Sequence, residues 1–264
     1  MLDIINYLAK QGLATNKDLF ADLNEACSGL PKINYDQSCS DLSCNKCVEL
    51  CPTQAISLTY DQDNKISPDL NLAKCIGCSQ CIDNCPDKVF VKNLNTKTAV
   101  TQIEDLVLSK AKSIAKANIQ PIVNKNFRPL FKKSLSIRVV STGCNACDLE
   151  INATLNPMFD LERFGINIVA SPRMADALLV TGPCGLAMHE AIKNTYAAMP
   201  NPKLVIACGT CACSGGLHYN GYFKTNGLCP LLDVDVFIPG CPPHPWSIIY
   251  GLMLAMGHEI IAAK

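Results

Sequence analysis

The sequence predicts two folded parts of different class: a small α+β domain in the N-terminal third and an open, parallel α/β sheet domain at the C-terminus. Two observations carry this. Eight cysteines between Cys39 and Cys85 fall into two nearly identical runs. From residue 135 onward, short apolar, β-branched runs alternate with helical patterns, as buried parallel strands and their crossover helices do. The expected organisation is a helical lead over 1–30, a cysteine-rich domain over 31–95, a helix and linker over 96–134, and the sheet domain over 135–264.

Composition narrows the class. At 264 residues and 48% apolar, the chain can bury a real core. Lysine plus arginine balances aspartate plus glutamate at 23 each, so charge gives no argument for a nucleic-acid partner. Seventeen cysteines are too many for ordinary packing. Disulfide-dense proteins are usually short and secreted. Here neither a basic n-region with an apolar h-region nor a twin-arginine signal follows Met1. Reduced cysteines acting as metal ligands in the cytoplasm are therefore expected. The longest apolar stretches, 177–188 and 246–257, are too short to span a bilayer. Any membrane association, peripheral at the inner membrane, would run through partner subunits.

The elements follow in order. In 1–30, Leu2, Ile5, Leu8 and Ala9 recur at helical spacing. Over 31–95 the cysteine runs repeat with an offset of 36 residues, Cys39 to Cys75, and each is followed by a β-prone patch, 55–58 and 88–91. Val100, Ile103, Leu106, Val107 and Ile114 predict one amphipathic helix over 99–118. Residues 119–134 hold two prolines and the basic run Lys125, Arg128, Lys132 and Lys133, and read as a linker with a solvated or partner-facing surface. Strands are expected over 136–140, 167–170, 177–181, 204–207 and 234–238. Helices are expected near 148–157, 186–198 and 245–257, on both faces of the sheet.

The cysteine runs carry the chemistry. The second is Cys75-x2-Cys78-x2-Cys81-x3-Cys85-Pro86, and the first is Cys39-x4-Cys44-x2-Cys47-x3-Cys51-Pro52. The second has the spacing of a bacterial ferredoxin cluster site, in which the fourth cysteine of each run serves the other cluster. That rule assigns Cys39, Cys44, Cys47 and Cys85 to one 4Fe–4S cluster and Cys75, Cys78, Cys81 and Cys51 to another. Four-cysteine zinc sites are the alternative, but zinc motifs rarely use x2-x2 spacing followed by Cys-Pro. The longer first gap also leaves room for a three-iron site there.

A third set is looser: Cys144-x2-Cys147, Cys211 and Cys241. All follow the carboxyl ends of expected strands, the crevice where open α/β sheets build their sites. On spacing alone, Cys208 or Cys213 could replace Cys211.

At these residues the chain resembles a known family. Residues 135–257 are similar to the cluster-bearing small subunit of nickel–iron hydrogenases and to its relative in respiratory complex I. The matching motifs are Gly143-Cys144-Asn145-Ala146-Cys147-Asp148-Leu149-Glu150, residues 159–166 and 170–176, Cys208-Gly209-Thr210-Cys211-Ala212, and Ile238-Pro239-Gly240-Cys241-Pro242-Pro243. The resemblance implies that Cys144, Cys147, Cys211 and Cys241 hold one 4Fe–4S cluster, the third in the chain. It implies a flavodoxin-like sheet and a partner large subunit holding the nickel–iron site, so that no catalytic residue lies here. The complex I relative has adjacent cysteines at the first position, whereas Cys144-x2-Cys147 follows the hydrogenase pattern. The resemblance therefore favours the complex I-like hydrogenases of formate hydrogenlyase type, with membrane-anchored partner subunits and a soluble electron donor or acceptor. A fused two-cluster ferredoxin departs from the arrangement in which that domain is a separate polypeptide. The alternatives are a quinone-linked or nickel-free relative, and a non-catalytic metal-stabilised scaffold.

Five cysteines remain, Cys27, Cys184, Cys208, Cys213 and Cys229, and small buried hydrophobes are their plainer reading. Cys208 and Cys213 flank Cys211, so tuning of that site is their other role. Glu150 is a carboxylate at a helix start, with a proton path as its alternative. Arg163 and Arg173 are expected to hold geometry rather than to react. His189, His218, His244 and His258 show no ligand spacing.

Overall fold

The computed structural model describes residues 6–7, 10, 20, 22–27, 29–41, 43–60, 66–109, 128–222 and 226–258. Of the expected helical lead, Leu2, Ile5, Leu8 and Ala9 lie outside them.

Two small antiparallel sheets surround the cysteine runs. Strand β1 (Leu30–Ile33) pairs with β4 (Phe90–Asn93), bringing the two ends of the repeat together. Strands β2 (Ile56–Tyr60), β3 (Ile66–Asn71) and β5 (Val107–Leu108) form the other sheet, in that order. Each run contributes one helical turn, α1 (Lys46–Glu49) and α2 (Gln80–Asp83), ahead of its last cysteine. The helix expected over 99–118 does not form in its described part. Val100 instead bridges Phe237, residues Ile103–Leu106 make a 3₁₀ turn, and Val107–Leu108 is β5. Residues 110–118, including Ile114, lie outside the described residues. A one-turn helix, α3 (Arg128–Phe131), leads into the larger part.

That part is a five-stranded parallel sheet of β6 (Leu135–Ser141), β7 (Ile166–Ile168), β8 (Ala177–Thr181), β9 (Leu204–Cys208) and β10 (Val236–Ile238). Its spatial order is β7-β6-β8-β9-β10, the 2-1-3-4-5 order of flavodoxin-like folds. Its helices are α4 (Ala146–Ala153), α5 (His189–Ala198), α6 (Thr210–Ser214) and α7 (Pro245–Ala255). Strands β8 and β9 are buried along their whole length, which is why they read as unbroken apolar runs rather than alternating ones.

Alternation survives in what each face touches. Leu178, Val180, Val205, Ala207 and Phe237 face one core shared with Ile33, Leu70, Phe90 and Leu106 of the small sheets. Leu179, Leu204, Ile206, Val236 and Ile238 face a second core under α7, with Ile248 and Leu252. Phe20 joins the second core edge-on to Trp246 and Tyr250. One face of the large sheet is thus covered by the cysteine-rich part. Val100 exchanges two backbone bonds with Phe237, of 3.0 and 2.8 Å. They cover the open edge of β10, which would otherwise offer unpaired backbone groups.

Candidate iron–sulfur sites

The runs fold as the repeat predicts. Three residues past each fourth cysteine stands a left-handed residue, Gln54 at φ 51° and Lys88 at φ 51°. The chain reverses there, and the next N–H points back at sulfur. Ala55 N donates to Cys51 Sγ at 3.2 Å and Val89 N to Cys85 Sγ at 3.4 Å. Gly77 N donates to Cys75 Sγ at 3.4 Å. Such bonds favour the thiolate and tune a bound cluster. The longer first gap is anchored by Ser40, whose N–H and hydroxyl both donate to the Asp87 carboxylate at 2.8 Å. This ties the start of the first run to the turn that ends the second.

The thiols gather into three groups. Burial, then the Cys39, Cys85 and Cys44 thiols, push Cys47 up to about 11, and burial with Cys85 raises Cys39. Burial raises Cys75 to about 11, with Cys51 and Cys78 adding to it, and raises Cys81 to about 12, with Cys75, Cys78 and Cys51 adding. Burial raises Cys211 to about 12, followed by Cys241, Cys147 and Cys144, and burial with Cys147 and Cys144 raises Cys241. Cys85 therefore lies with the first run's triplet and Cys51 with the second's. Buried, mutually repelling thiols favour their protonated forms until a cation offsets the charge.

Among the described residues, no three His, Cys, Asp or Glu side chains close at single-ion distance, and a four-iron cage is larger than one ion. Glycine makes the room. A Cβ on Gly209 would lie 2.5 Å from Cys147 Sγ, and one on Gly216 would lie 3.2 Å from Cys211 Sγ. Gly209 also holds φ +90°, a conformation that costs other residues roughly 1–3 kcal/mol. Gly209→Ala should therefore lower the thermal midpoint and the iron content at the third site. Iron analysis and a melting curve check this, and full iron retention would contradict it.

Cys144, Cys211 and Cys241 follow β6, β9 and β10, so the third group lies at the carboxyl edge of the sheet. Spacing did not reveal what orients it. Asp148, one residue past Cys147, accepts from Ser141 on β6 and from Thr181 on β8, the latter at 2.7 Å. These bonds pin the start of α4, and with it Cys147, to two strands. The fully buried Cys208 thiol favours the thiolate form of Cys147 beside it, while its own pKa is driven up by Cys147 and by burial. Cys213 donates to the carbonyls of Ala207 and Ile238 at 3.7 Å and packs as a protonated thiol. Cys184 is buried beside Thr142, which accepts from its N–H at 2.9 Å.

His244 caps α7, its Nδ1 accepting from Trp246 N at 3.2 Å, and burial lowers its pKa toward the neutral form the cap needs. His189 contacts the Cys184 carbonyl at 3.0 Å. Arg163 stacks over Phe164 and Trp246. Glu150 lines a cleft of about 380 Å³ with Ile76, Gly77, Cys241 and His244.

The cysteine runs and the parallel sheet together define an iron–sulfur electron-transfer subunit of the complex I and hydrogenase type. The chain belongs to the family of the NADH ubiquinone oxidoreductase 20 kDa subunit, whose model matches residues 144–255. A 4Fe–4S dicluster domain matches residues 38–89. The chain is 48% identical over 118 residues to a probable membrane-bound hydrogenase subunit of Pyrococcus furiosus, covering 45% of this chain and 71% of that protein. It is 47% identical over 120 residues to formate hydrogenlyase subunit 7 of Escherichia coli, covering 46% of this chain and 47% of that protein. It is 40% identical over 141 residues to an NADH-quinone oxidoreductase subunit of Geotalea daltonii, covering 53% of this chain and 79% of that protein. Among the described residues no helix is long and apolar enough to cross a membrane.

Proposed function

We propose that this chain relays electrons through three 4Fe–4S clusters to or from a nickel–iron site on a partner large subunit, in a complex held at the membrane by other subunits. The reading is supported by which thiols raise one another: Cys47 with Cys39, Cys44 and Cys85; Cys81 with Cys51, Cys75 and Cys78; and Cys211, at the carboxyl edge of the sheet, with Cys144, Cys147 and Cys241. In this reading the ligands are Cys39, Cys44, Cys47 and Cys85 for the first cluster. Cys51, Cys75, Cys78 and Cys81 serve the second, and Cys144, Cys147, Cys211 and Cys241 the third. The boundaries proposed for the cluster-bearing domains are 31–95 and 135–264.

A bound 4Fe–4S cluster supplies reversible one-electron transfer. The protein's part is to bury the thiolates, to aim N–H groups of Ala55, Gly77 and Val89 at their sulfurs, and to fix the third site through Asp148. Exposed Leu149 and Leu186 follow the carboxyl ends of β6 and β8 and suit a covering large subunit.

Purification of the complex from its host without oxygen tests the proposal. About twelve iron atoms per chain are expected, about four for each cluster, with nickel on a co-purifying subunit and hydrogen-dependent dye reduction. A second reading, transfer to quinone without nickel, draws on the 40% identity to the Geotalea daltonii NADH-quinone oxidoreductase subunit. The same iron with neither nickel nor hydrogen activity would favour it.

A further inference from the structure

The second and third cysteine groups meet at one buried hydroxyl. Thr210 is 1% exposed and opens α6, immediately before Cys211. Its Oγ1 donates to the carbonyl oxygen of Cys75 at 2.8 Å and accepts from Gly240 N at 3.3 Å. Gly240 immediately precedes Cys241. One oxygen thus touches the backbone of a cysteine in the second group and lies one residue from each of two cysteines in the third. The Thr210 backbone is tied to the same loop, its N–H donating to Gly240 O at 2.8 Å. The side chain cannot readily turn away. A Cβ on Gly216 would stand 3.2 Å from the Thr210 methyl, so that methyl packs where only glycine fits, and a β-branched side chain has few rotamers. A second hydroxyl on the same helix, Ser214, donates to Ala73 O at 2.7 Å. It straps the same two parts together, its other donated bond running 3.3 Å to Thr210 O rather than to a cysteine.

We propose that Thr210 is a positioning residue that couples the second and third clusters for electron transfer, through the hydrogen bond from its hydroxyl to Cys75. The inference rests on the cluster ligation proposed above. In the step it serves, one electron leaves the second cluster, which is oxidised, and reaches the third, which is reduced, or the reverse. The Thr210 proton stays on Oγ1 throughout. The bonded route runs from Cys75 Sγ through its carbonyl, across one 2.8 Å hydrogen bond, and along Thr210 into Cys211. Without that bond the same gap is crossed through space, where electronic coupling is weaker. The second group is therefore the one adjacent to the sheet domain, and the first group, held by Cys39, Cys44, Cys47 and Cys85, is the outer one.

The test compares Thr210→Val, Thr210→Ser and Ser214→Ala in the full chain carrying its clusters. Three readouts are taken: iron content, magnetic coupling between the reduced clusters by electron paramagnetic resonance, and the intramolecular transfer rate after flash reduction. Thr210→Val should keep its iron, weaken the coupling between the second and third clusters, and slow transfer several-fold. Thr210→Ser, which keeps the hydroxyl, should restore both. Ser214→Ala loosens the strap only and should leave the rate near wild type. A wild-type rate in Thr210→Val overturns the inference. Equal slowing by Ser214→Ala also overturns it, since docking rather than the bonded route would then set the rate. A wild-type chain without three clusters would instead overturn the ligation on which the inference stands.

Discussion

Replacing Cys211 with serine should strip one cluster from the chain and leave two. The residue lies on α6 at the carboxyl edge of the sheet, where burial, followed by the neighbouring Cys241, Cys147 and Cys144, pushes its thiol up to about 12. Thiolate is the soft ligand that iron–sulfur cages take, and a serine oxygen in the same place is a poor substitute. Iron should fall from about twelve to about eight per chain, a loss equal to one four-iron cluster. On the proposed relay, hydrogen-dependent reduction by the whole complex should be lost, because the two remaining clusters would be cut off from the partner large subunit. Reduction of those two by an artificial donor should persist. The neighbouring cysteines are the control. Cys213→Ser should keep all its iron, since that thiol donates to the Ala207 and Ile238 carbonyls and lies within the core. Cys208→Ser should keep its iron too, while shifting the potential of the third cluster, because it keeps a hydroxyl donor beside Cys147. Spacing alone left Cys208 and Cys213 open as ligands. Iron loss in either of them, with retention in Cys211→Ser, would move the assignment.

What the sequence disclosed and what it hid divide along sequence distance. The cysteine runs were legible because three cysteines of each lie close together in sequence, so spacing fixes their geometry. The flavodoxin-like strands were legible because burial on both faces leaves runs such as Ala177–Thr181 and Leu204–Cys208 without polar interruptions. The contacts that join the two parts were hidden. Thr210 meets a residue 135 positions away and Ser214 one 141 positions away, and neither carries a local pattern. Residues 99–109 misled for a related reason. Val100, Ile103, Leu106 and Val107 have helical spacing, but their apolar groups serve different neighbours: Val100 bridges the edge of β10, and Val107 pairs with Asn71. Tertiary pairing outweighed the weak helix preference of a β-branched stretch. Strand β3 was missed because Pro68 and Asp69 disfavour strands. It forms because β5 reaches only Leu70 and Asn71, so that Pro68 has a partner on one side alone.

The crossover of the fourth cysteines makes a second strong prediction, in which the consequence of a mutation appears in the other run's cluster. Cys51 belongs by sequence to the first run, yet its neighbours are the Cys75 and Cys81 thiols of the second. Cys85 belongs to the second run and lies with Cys39 and Cys47 of the first. Cys51→Ser should therefore empty the cluster of Cys75, Cys78 and Cys81, and Cys85→Ser that of Cys39, Cys44 and Cys47. Each should cost about four irons per chain, so iron analysis alone cannot tell them apart. Magnetic coupling to the third cluster can. The second group is the one that meets the sheet domain, through Cys75 beside Cys241 and through the Thr210 bond. Cys85→Ser should leave that coupling intact and remove only the outer cluster. Cys51→Ser should abolish it, leaving the first and third clusters as separate, uncoupled signals and electron flow between them broken. Both variants exchange a sulfur that accepts a backbone N–H, from Ala55 in one case and Val89 in the other, for a hydroxyl oxygen, so the local change is of the same kind and the contrast isolates the crossover. If Cys51→Ser spared the coupling and Cys85→Ser destroyed it, each run would be closing its own cluster. The order of the relay would stand, but its ligand sets would be redrawn, with Cys51 on the outer cluster and all four of the second run's cysteines on the one facing the sheet.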